Sequence, residues 1–194
     1  LTKVETGFHL PDRQVIEGKI TKKTRAIIIC NPNNPTGTVY TKDELDMLVS
    51  ICVKNNLFLI SDEVYREFVY DGKKHVSILE FMKKYPDKMI LLDSLSKRYS
   101  LCGARLGMIV SLNKDITDGT LRMAQGRLSS GYVDQAMAEK LTEVDKSYFK
   151  AVQKEYQTRR DVLYQGLKSI PGVYLEKPEG AFYTIVKLPV KDSE

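Results

Sequence analysis

The chain has 194 residues, with 30 Lys+Arg against 25 Asp+Glu for a formal charge of +5, and 42% of its residues are hydrophobic. Those values exclude a disordered or collagen-like chain and fit one domain, or one and a half, with a real core. The basic charge is scattered in pairs such as Lys22-Lys23, Lys73-Lys74, Lys83-Lys84 and Arg159-Arg160, which argues against nucleic-acid binding, and no apolar run approaches the roughly 20 residues that span a bilayer.

Leu1 to Thr6 contain neither an initiator Met nor a secretory apolar stretch, so a piece of a longer, non-secreted chain is expected. Pro11 to Ile20 reads as a single amphipathic turn. Ala26-Ile27-Ile28-Ile29-Cys30 is short, apolar and β-branched, which predicts a strand buried on both faces, as in a parallel sheet. Asn31-Pro32-Asn33-Asn34-Pro35-Thr36-Gly37 breaks it with a fixed loop.

Thr41 and Glu44 have the spacing of a capping box, and Leu45, Leu48, Val49 and Cys52 mark one face of the helix that follows. Leu57-Phe58-Leu59-Ile60 predicts a second strand, ending at Ser61-Asp62-Glu63. A helical stretch from Ile78 to Lys84 is closed by Pro86-Asp87, and Met89-Ile90-Leu91-Leu92 predicts a third strand ending at Asp93-Ser94. Strands alternating with helices predict an α/β fold with a parallel sheet.

Leu106 to Leu112 reads as a further strand. Tyr132 to Lys168 reads as one long helix whose stripe of Leu141, Val144, Tyr148, Val152, Tyr156, Leu163 and Leu167 is expected to be core, with Arg160 and the lysines off that face. Pro171-Gly172 stops it. Val173 to Leu175 and Ala181 to Val186 then predict two strands around a turn at Pro178-Glu179-Gly180. The change of pattern divides the chain into 1–135 and 136–194.

Cys30, Cys52 and Cys102 are odd in number and form no CxxC, so each is expected to be a small buried hydrophobe in a reducing compartment. His9 and His75 stand far apart, and neither a metal site nor a Ser–His triad is expected.

In a parallel α/β sheet, ligands bind at the carboxyl ends of the strands. Three such ends are polar here: Asn31 to Gly37, Ser61 to Tyr65, and Ser94 to Lys97. No GxxxxGKS/T or GxGxxG motif supports a P-loop or dinucleotide reading. A lone lysine is usually a solvated side chain, but Lys97 has telling company. An amine just past a buried strand is partly desolvated, which frees its nitrogen for attack, as a Schiff-base lysine requires. Ser94, Ser96 and Arg105 can hold an anionic group beside it, with Arg as a fork-shaped phosphate ligand. Asp62 can hold a protonated ring nitrogen, and Asn34 and Tyr65 are neutral donors for a phenolate oxygen. Together these meet the requirements of pyridoxal phosphate.

The stretch Ser94-Leu95-Ser96-Lys97-Arg98-Tyr99-Ser100-Leu101-Cys102-Gly103-Ala104-Arg105-Leu106-Gly107 closely resembles the cofactor-attachment signature of class I aminotransferases. Asn31 to Gly37 resembles that family's NPxNPTG loop. Ser61-Asp62-Glu63-Val64-Tyr65 resembles its SDEVY strand end, and Pro178-Glu179-Gly180-Ala181-Phe182-Tyr183 its PxGAFY turn.

The resemblance implies part of the parallel-sheet large domain of fold-type-I pyridoxal-phosphate enzymes, joined to part of a C-terminal small α+β domain. It implies that Lys97 carries the cofactor and later moves the proton at the substrate Cα. It also implies that Asp62 keeps the pyridine nitrogen protonated and that Asn34 and Tyr65 bind the phenolic oxygen. Ser94 and Arg105, with Ser96, would bind the phosphate, while Gly180 and Tyr183 would be structural. Implied partners are an amino acid and a 2-oxo acid, of the aspartate and 2-oxoglutarate type, and a second copy in a cytoplasmic homodimer. The family's earlier strands, its ring-stacking aromatic and its carboxylate-gripping arginine have no counterpart here, so this stretch by itself is expected to be inactive. The same lysine signature also serves β-lyases, other fold-type-I enzymes and non-catalytic cofactor-binding domains of regulators, which remain alternatives.

Overall fold

The three predicted parallel strands form side by side. In the computed structural model, which describes residues 7–191, β1 (Ala26–Cys30), β2 (Phe58–Asp62) and β3 (Met89–Ser94) are neighbours in that order. Cys30 stands opposite Asp62, and Asp62 opposite Leu92, so the three carboxyl ends open on one edge. The helices α1 (Arg13–Glu17), α2 (Lys42–Lys54) and α3 (Leu79–Met82) lie between and before them in the chain. The capping box starts α2 as expected: Glu44 N–H donates to Thr41 Oγ1 at 3.2 Å, and Glu44 Oε2 accepts from Thr41 N–H at 2.8 Å. The predicted face of Leu45, Leu48, Val49 and Cys52 is buried with Ile29, Leu59, Met89 and Leu91 in the main core.

β4 (Gly107–Val110) completes the sheet but runs antiparallel to β3, with Ser94 opposite Gly107. The link between them coils into the one-turn helix α4 (Leu95–Arg98) and a 3-10 turn at Cys102–Ala104, which returns the chain to the same end of the sheet. β1 departs from the prediction of burial on both faces. Ile29 is buried in the main core, but Ile28 on the opposite face is 71% exposed, and on that face only Cys30, at the carboxyl end, packs against the second cluster. Among the described residues, no helix is long and apolar enough to cross a membrane.

The long helix predicted from Tyr132 to Lys168 is broken. The chain passes from α5 (Lys114–Gly126) to α6 (Tyr132–Glu139), a 3-10 turn (Lys140–Glu143) and then α7 (Lys146–Lys168). Val144 is extended (φ −68°, ψ 119°), and Asp145 caps α7 by accepting from Ser147 N–H at 2.8 Å. The apolar stripe is not core either: most of it is half-buried, and Leu163 is 52% exposed. The one buried residue of α7 is Arg160, which had been expected in water.

The predicted hairpin is reduced to a two-residue pair, β5 (Tyr174–Leu175) with β6 (Val186–Lys187). Residues 181–185 do not extend the strand because Ala181 turns left-handed (φ +55°) and the turn docks elsewhere. Ala181 N–H donates to the Phe68 carbonyl at 2.9 Å, and Tyr70 N–H to that of Glu179 at 2.9 Å. A second cluster of Tyr65, Phe68, Tyr70 and Ala181, flanked by Tyr156, Phe182 and Tyr183, fills this junction. Of the cysteines, Cys52 is buried and Cys30 half-buried. Cys102 is exposed, contrary to expectation, since it sits on the surface 3-10 turn.

Candidate active site

The first wall of the site is the loop after β1. Asn31 is buried and fully used: its N–H donates to the Asp62 carbonyl at 2.9 Å, its Oδ1 accepts from Tyr40 N–H at 3.0 Å, and its Nδ2 donates to the Val76 carbonyl at 3.3 Å. His75 Nε2 lies 3.1 Å from its remaining carbonyl. Thr36 Oγ1 donates to Asn33 Oδ1 at 2.8 Å and tightens the turn. Both X–Pro bonds of the loop, Asn31–Pro32 and Asn34–Pro35, are cis. Gly37 has φ +74°, a conformation open to glycine, and its carbonyl accepts from Glu179 and Gly180 N–H at 2.8 Å each. Gly180 is needed for close approach: a Cβ there would stand 2.7 Å from the Phe68 carbonyl oxygen and 2.8 Å from Pro32 Cβ. These contacts hold Asn34 at the rim, exposed, with its Nδ2 donating to Tyr65 Oη at 3.3 Å.

The second wall is the end of β2. Asp62 is half-buried, and its Oδ1 accepts from Val64 N–H at 3.1 Å. Beside it across the sheet, burial and, less strongly, the Asp62 charge push the Cys30 thiol pKa up, against a backbone hydrogen bond from Asn34. Tyr65 is buried, with its ring edge-on to Phe68, Phe182 and Tyr183. Its hydroxyl lies 2.9 Å from that of Tyr183.

The third wall is the end of β3 and α4. Ser94 caps the helix by accepting from Ser96 N–H at 3.1 Å, and its Oγ lies 2.8 Å from Ser96 Oγ and 3.0 Å from the Leu106 carbonyl oxygen. Lys97 is half-buried, and its Nζ stands 5.9 Å from the centre of the Phe182 ring. Phe182 also packs 5.2 Å from the Tyr65 ring, so one aromatic borders both the amine and the tyrosine. Arg98 anchors α4 from below: Nη2 pairs with Glu67 at 2.5 Å, and Nη1 stands 3.5 Å from Asp93 Oδ2, which is also 3.2 Å from Arg66.

The structure therefore brings together Asn34 with Tyr65 and Ser94 with Ser96, and sets Asp62 on the neighbouring strand end. Arg105 is the exception. Its backbone is left-handed (φ +49°), two residues before Gly107, the partner of Ser94. Its guanidinium is exposed and donates to the Cys102 carbonyl at 3.1 Å. Tyr183, read from the sequence as structural, touches the site through Tyr65, and Arg66, Asp93 and Arg98 support it unannounced. As a set of side chains, one amine, one carboxylate, two neutral donors and a hydroxyl pair fit an aldehyde-bearing pyridine phosphate.

Comparison with known proteins points the same way. The family model for aminotransferases of class I and II matches residues 3–194. An aspartate aminotransferase of Bacillus sp. (strain YM-2) is 33% identical over 182 residues, which is 93% of this chain and 46% of the relative. A probable aspartate/prephenate aminotransferase of Aquifex aeolicus is 36% identical over 191 residues, again 93% of this chain and 46% of the relative. Among solved structures, an alanine aminotransferase from Pyrococcus furiosus superposes with a TM-score of 0.87 at 34% identity, covering 98% of this chain and 49% of that one. The chain spans about half the length of the curated relatives it matches.

Proposed function

We propose that this chain, which belongs to the class I and II aminotransferase family, supplies the cofactor-binding part of an enzyme that moves an amino group between an amino acid and a 2-oxo acid. Relatives named for aspartate support substrates of the aspartate and 2-oxoglutarate type. The observation that supports the reading is that Asp62, Lys97 and the Asn34–Tyr65 pair all sit at or just past the carboxyl ends of neighbouring strands of one sheet, with Phe182 bordering both Lys97 and Tyr65.

Pyridoxal phosphate supplies an aldehyde and a conjugated ring that draws electrons from the substrate Cα. The residues then divide the labour. With the cofactor bound, the Lys97 amine would be the nucleophile that retains it and would carry the proton from and to the substrate Cα. The Asp62 carboxylate holds a proton on the ring nitrogen. Asn34 Nδ2 and Tyr65 Oη turn N–H and O–H groups on the phenolic oxygen. The Ser94 and Ser96 hydroxyls would bind phosphate oxygens, with Arg105, whose guanidinium here donates to the Cys102 carbonyl, as the charged ligand. A cytoplasmic homodimer, and a division into 1–135 around the cofactor and 136–194 beside it, belong to the same reading.

The test is chemical. Borohydride treatment of the protein loaded with pyridoxal phosphate is expected to fix one pyridoxyl group on the peptide that contains Lys97, with none fixed in Lys97→Ala. Labelling spread over other lysines refutes the assignment.

A further inference from the structure

We propose that Tyr183 is a positioning residue: its hydroxyl donates to Tyr65 Oη and so leaves the single Tyr65 proton free for an anionic oxygen of the bound ligand. On the reading above, on which this inference rests, that oxygen is the phenolic oxygen of the cofactor.

The argument is a count of valences. A phenolic oxygen has one proton to give and two lone pairs to receive. Asn34 Nδ2, at 3.3 Å, occupies one lone pair of Tyr65 Oη. Tyr183 Oη, at 2.9 Å, must take either the other lone pair or the proton. If Tyr65 gave its proton to Tyr183, only a lone pair would face the ligand, and an anion would be repelled. If Tyr183 gives its proton to Tyr65, the Tyr65 O–H points outward, beside the second N–H of Asn34. Only the second arrangement presents two donors to an oxygen anion. It also forms a chain in which each O–H polarises the next, which makes Tyr65 a stronger donor than an isolated phenol.

The surrounding packing holds this geometry. The Tyr65 ring is clamped edge-on by Phe68, Phe182 and Tyr183, and the Tyr183 ring stands at 90° to it with centres 5.6 Å apart. Tyr183 itself rides on the turn fixed by Ala181 N–H to Phe68 and by Gly180 N–H to Gly37. Burial, and after it the Tyr183 contact, push the Tyr65 pKa well above its ordinary value, so Tyr65 keeps the proton it is to give.

The experiment follows the pH midpoint of the visible band of the Lys97-bound cofactor in the holoprotein. Donors to the phenolic oxygen hold that midpoint down, so losing one raises it. Tyr65→Phe is expected to raise it by one unit or more, and Tyr183→Phe by about half a unit. Phe at 183 keeps the edge contacts of the ring. The double variant is expected to match Tyr65→Phe alone, because Tyr183 acts only through Tyr65. An unmoved midpoint in Tyr183→Phe, a fall, or additive shifts in the double variant each overturn the relay while leaving the cofactor reading intact. A wild-type protein with no pH-sensitive visible band overturns the cofactor reading, and the relay with it.

Discussion

Replacing His75 by Phe should change how stability depends on acid, and not only how large it is. The imidazole is 10% exposed, with Nε2 donating to the Asn31 carbonyl at 3.1 Å and lying 3.6 Å from Glu63 Oε2. Burial, aided by the Arg66 guanidinium, holds its pKa down to about 4 from the ordinary 6.5, against the pull of the Asn31 carbonyl. The native protein thus keeps His75 neutral down to about pH 4, while the unfolded chain takes a proton below 6.5. The stability His75 carries is complete above pH 6.5 and drains away as pH falls toward 4. A depression of that size is worth on the order of 3 kcal/mol in full, of which about 1.4 kcal/mol is lost by roughly pH 5.5. Phe cannot be protonated, but it leaves the Asn31 carbonyl without its donor, which costs about 1–2 kcal/mol at every pH. The two stability curves should therefore cross near roughly pH 5.5, with wild type the more stable at neutral pH and His75→Phe the more stable in acid. Urea unfolding of both proteins in steps from pH 7 to 4.5 reads this directly. Taking the difference cancels the carboxylates common to both. A difference constant with pH would refute the reasoning. So would one that widens in favour of wild type in acid, which would mean that Glu63 holds His75 as an imidazolium.

Four further outcomes follow. Gly180→Ala should lower stability by about 1–3 kcal/mol, since the new Cβ meets backbone and packed side chains that cannot all yield; an unchanged urea midpoint would refute the tight docking of that turn. Arg160→Met should cost about 2–3 kcal/mol, because it removes the donor to the Pro178 carbonyl and the pair with Asp71. Asp71→Asn should cost less than about 1 kcal/mol, because that carboxylate is 39% exposed and Asp161, 2.8 Å from Arg160 Nε, keeps the guanidinium compensated; equal midpoints for the two variants would contradict the burial argument. In the full-length protein, Asp62→Asn should still bind pyridoxal phosphate while turnover falls by at least about a hundredfold, measured as single-turnover rates, and a near wild-type rate would discredit the carboxylate's role.

What the sequence made legible is what short-range chemistry decides. Ala26 to Cys30 is too short and too β-branched for a helix, and Thr41 with Glu44 can close a cap without help from any other segment. The break before α7 shows the limit. Leu141, Val144 and Tyr148 keep three- and four-residue steps straight through it, because a 3-10 turn nearly preserves the phase of the stripe. The available signal was Asp145, an N-cap residue in front of Lys146-Ser147, and periodicity outvoted it. Exposure was equally out of reach. Ile28 and Leu163 have the composition of core, yet whether a face is covered depends on which other segments reach it.

The site divides along the same line. Lys97, Asp62, Asn34 and Tyr65 could be named because their motifs are local and each ends a predicted strand or opens the turn after it. Tyr183 could not, because its hydroxyl matters only through a residue 118 positions away. Arg160 is the sharper case. On a helical wheel it falls off the apolar stripe, and a guanidinium there belongs in water. It is dry because the turn at Pro178 folds across it and Asp71, 89 positions earlier, adds a counter-charge to that of the adjacent Asp161, with the Tyr70 ring 4.9 Å away. A charged residue becomes part of an interior when a separate segment brings its cover and a further partner. Local pattern supplies Asp161 but neither the cover nor the second partner, so it is at such clasps between distant segments that reading the sequence alone fails first.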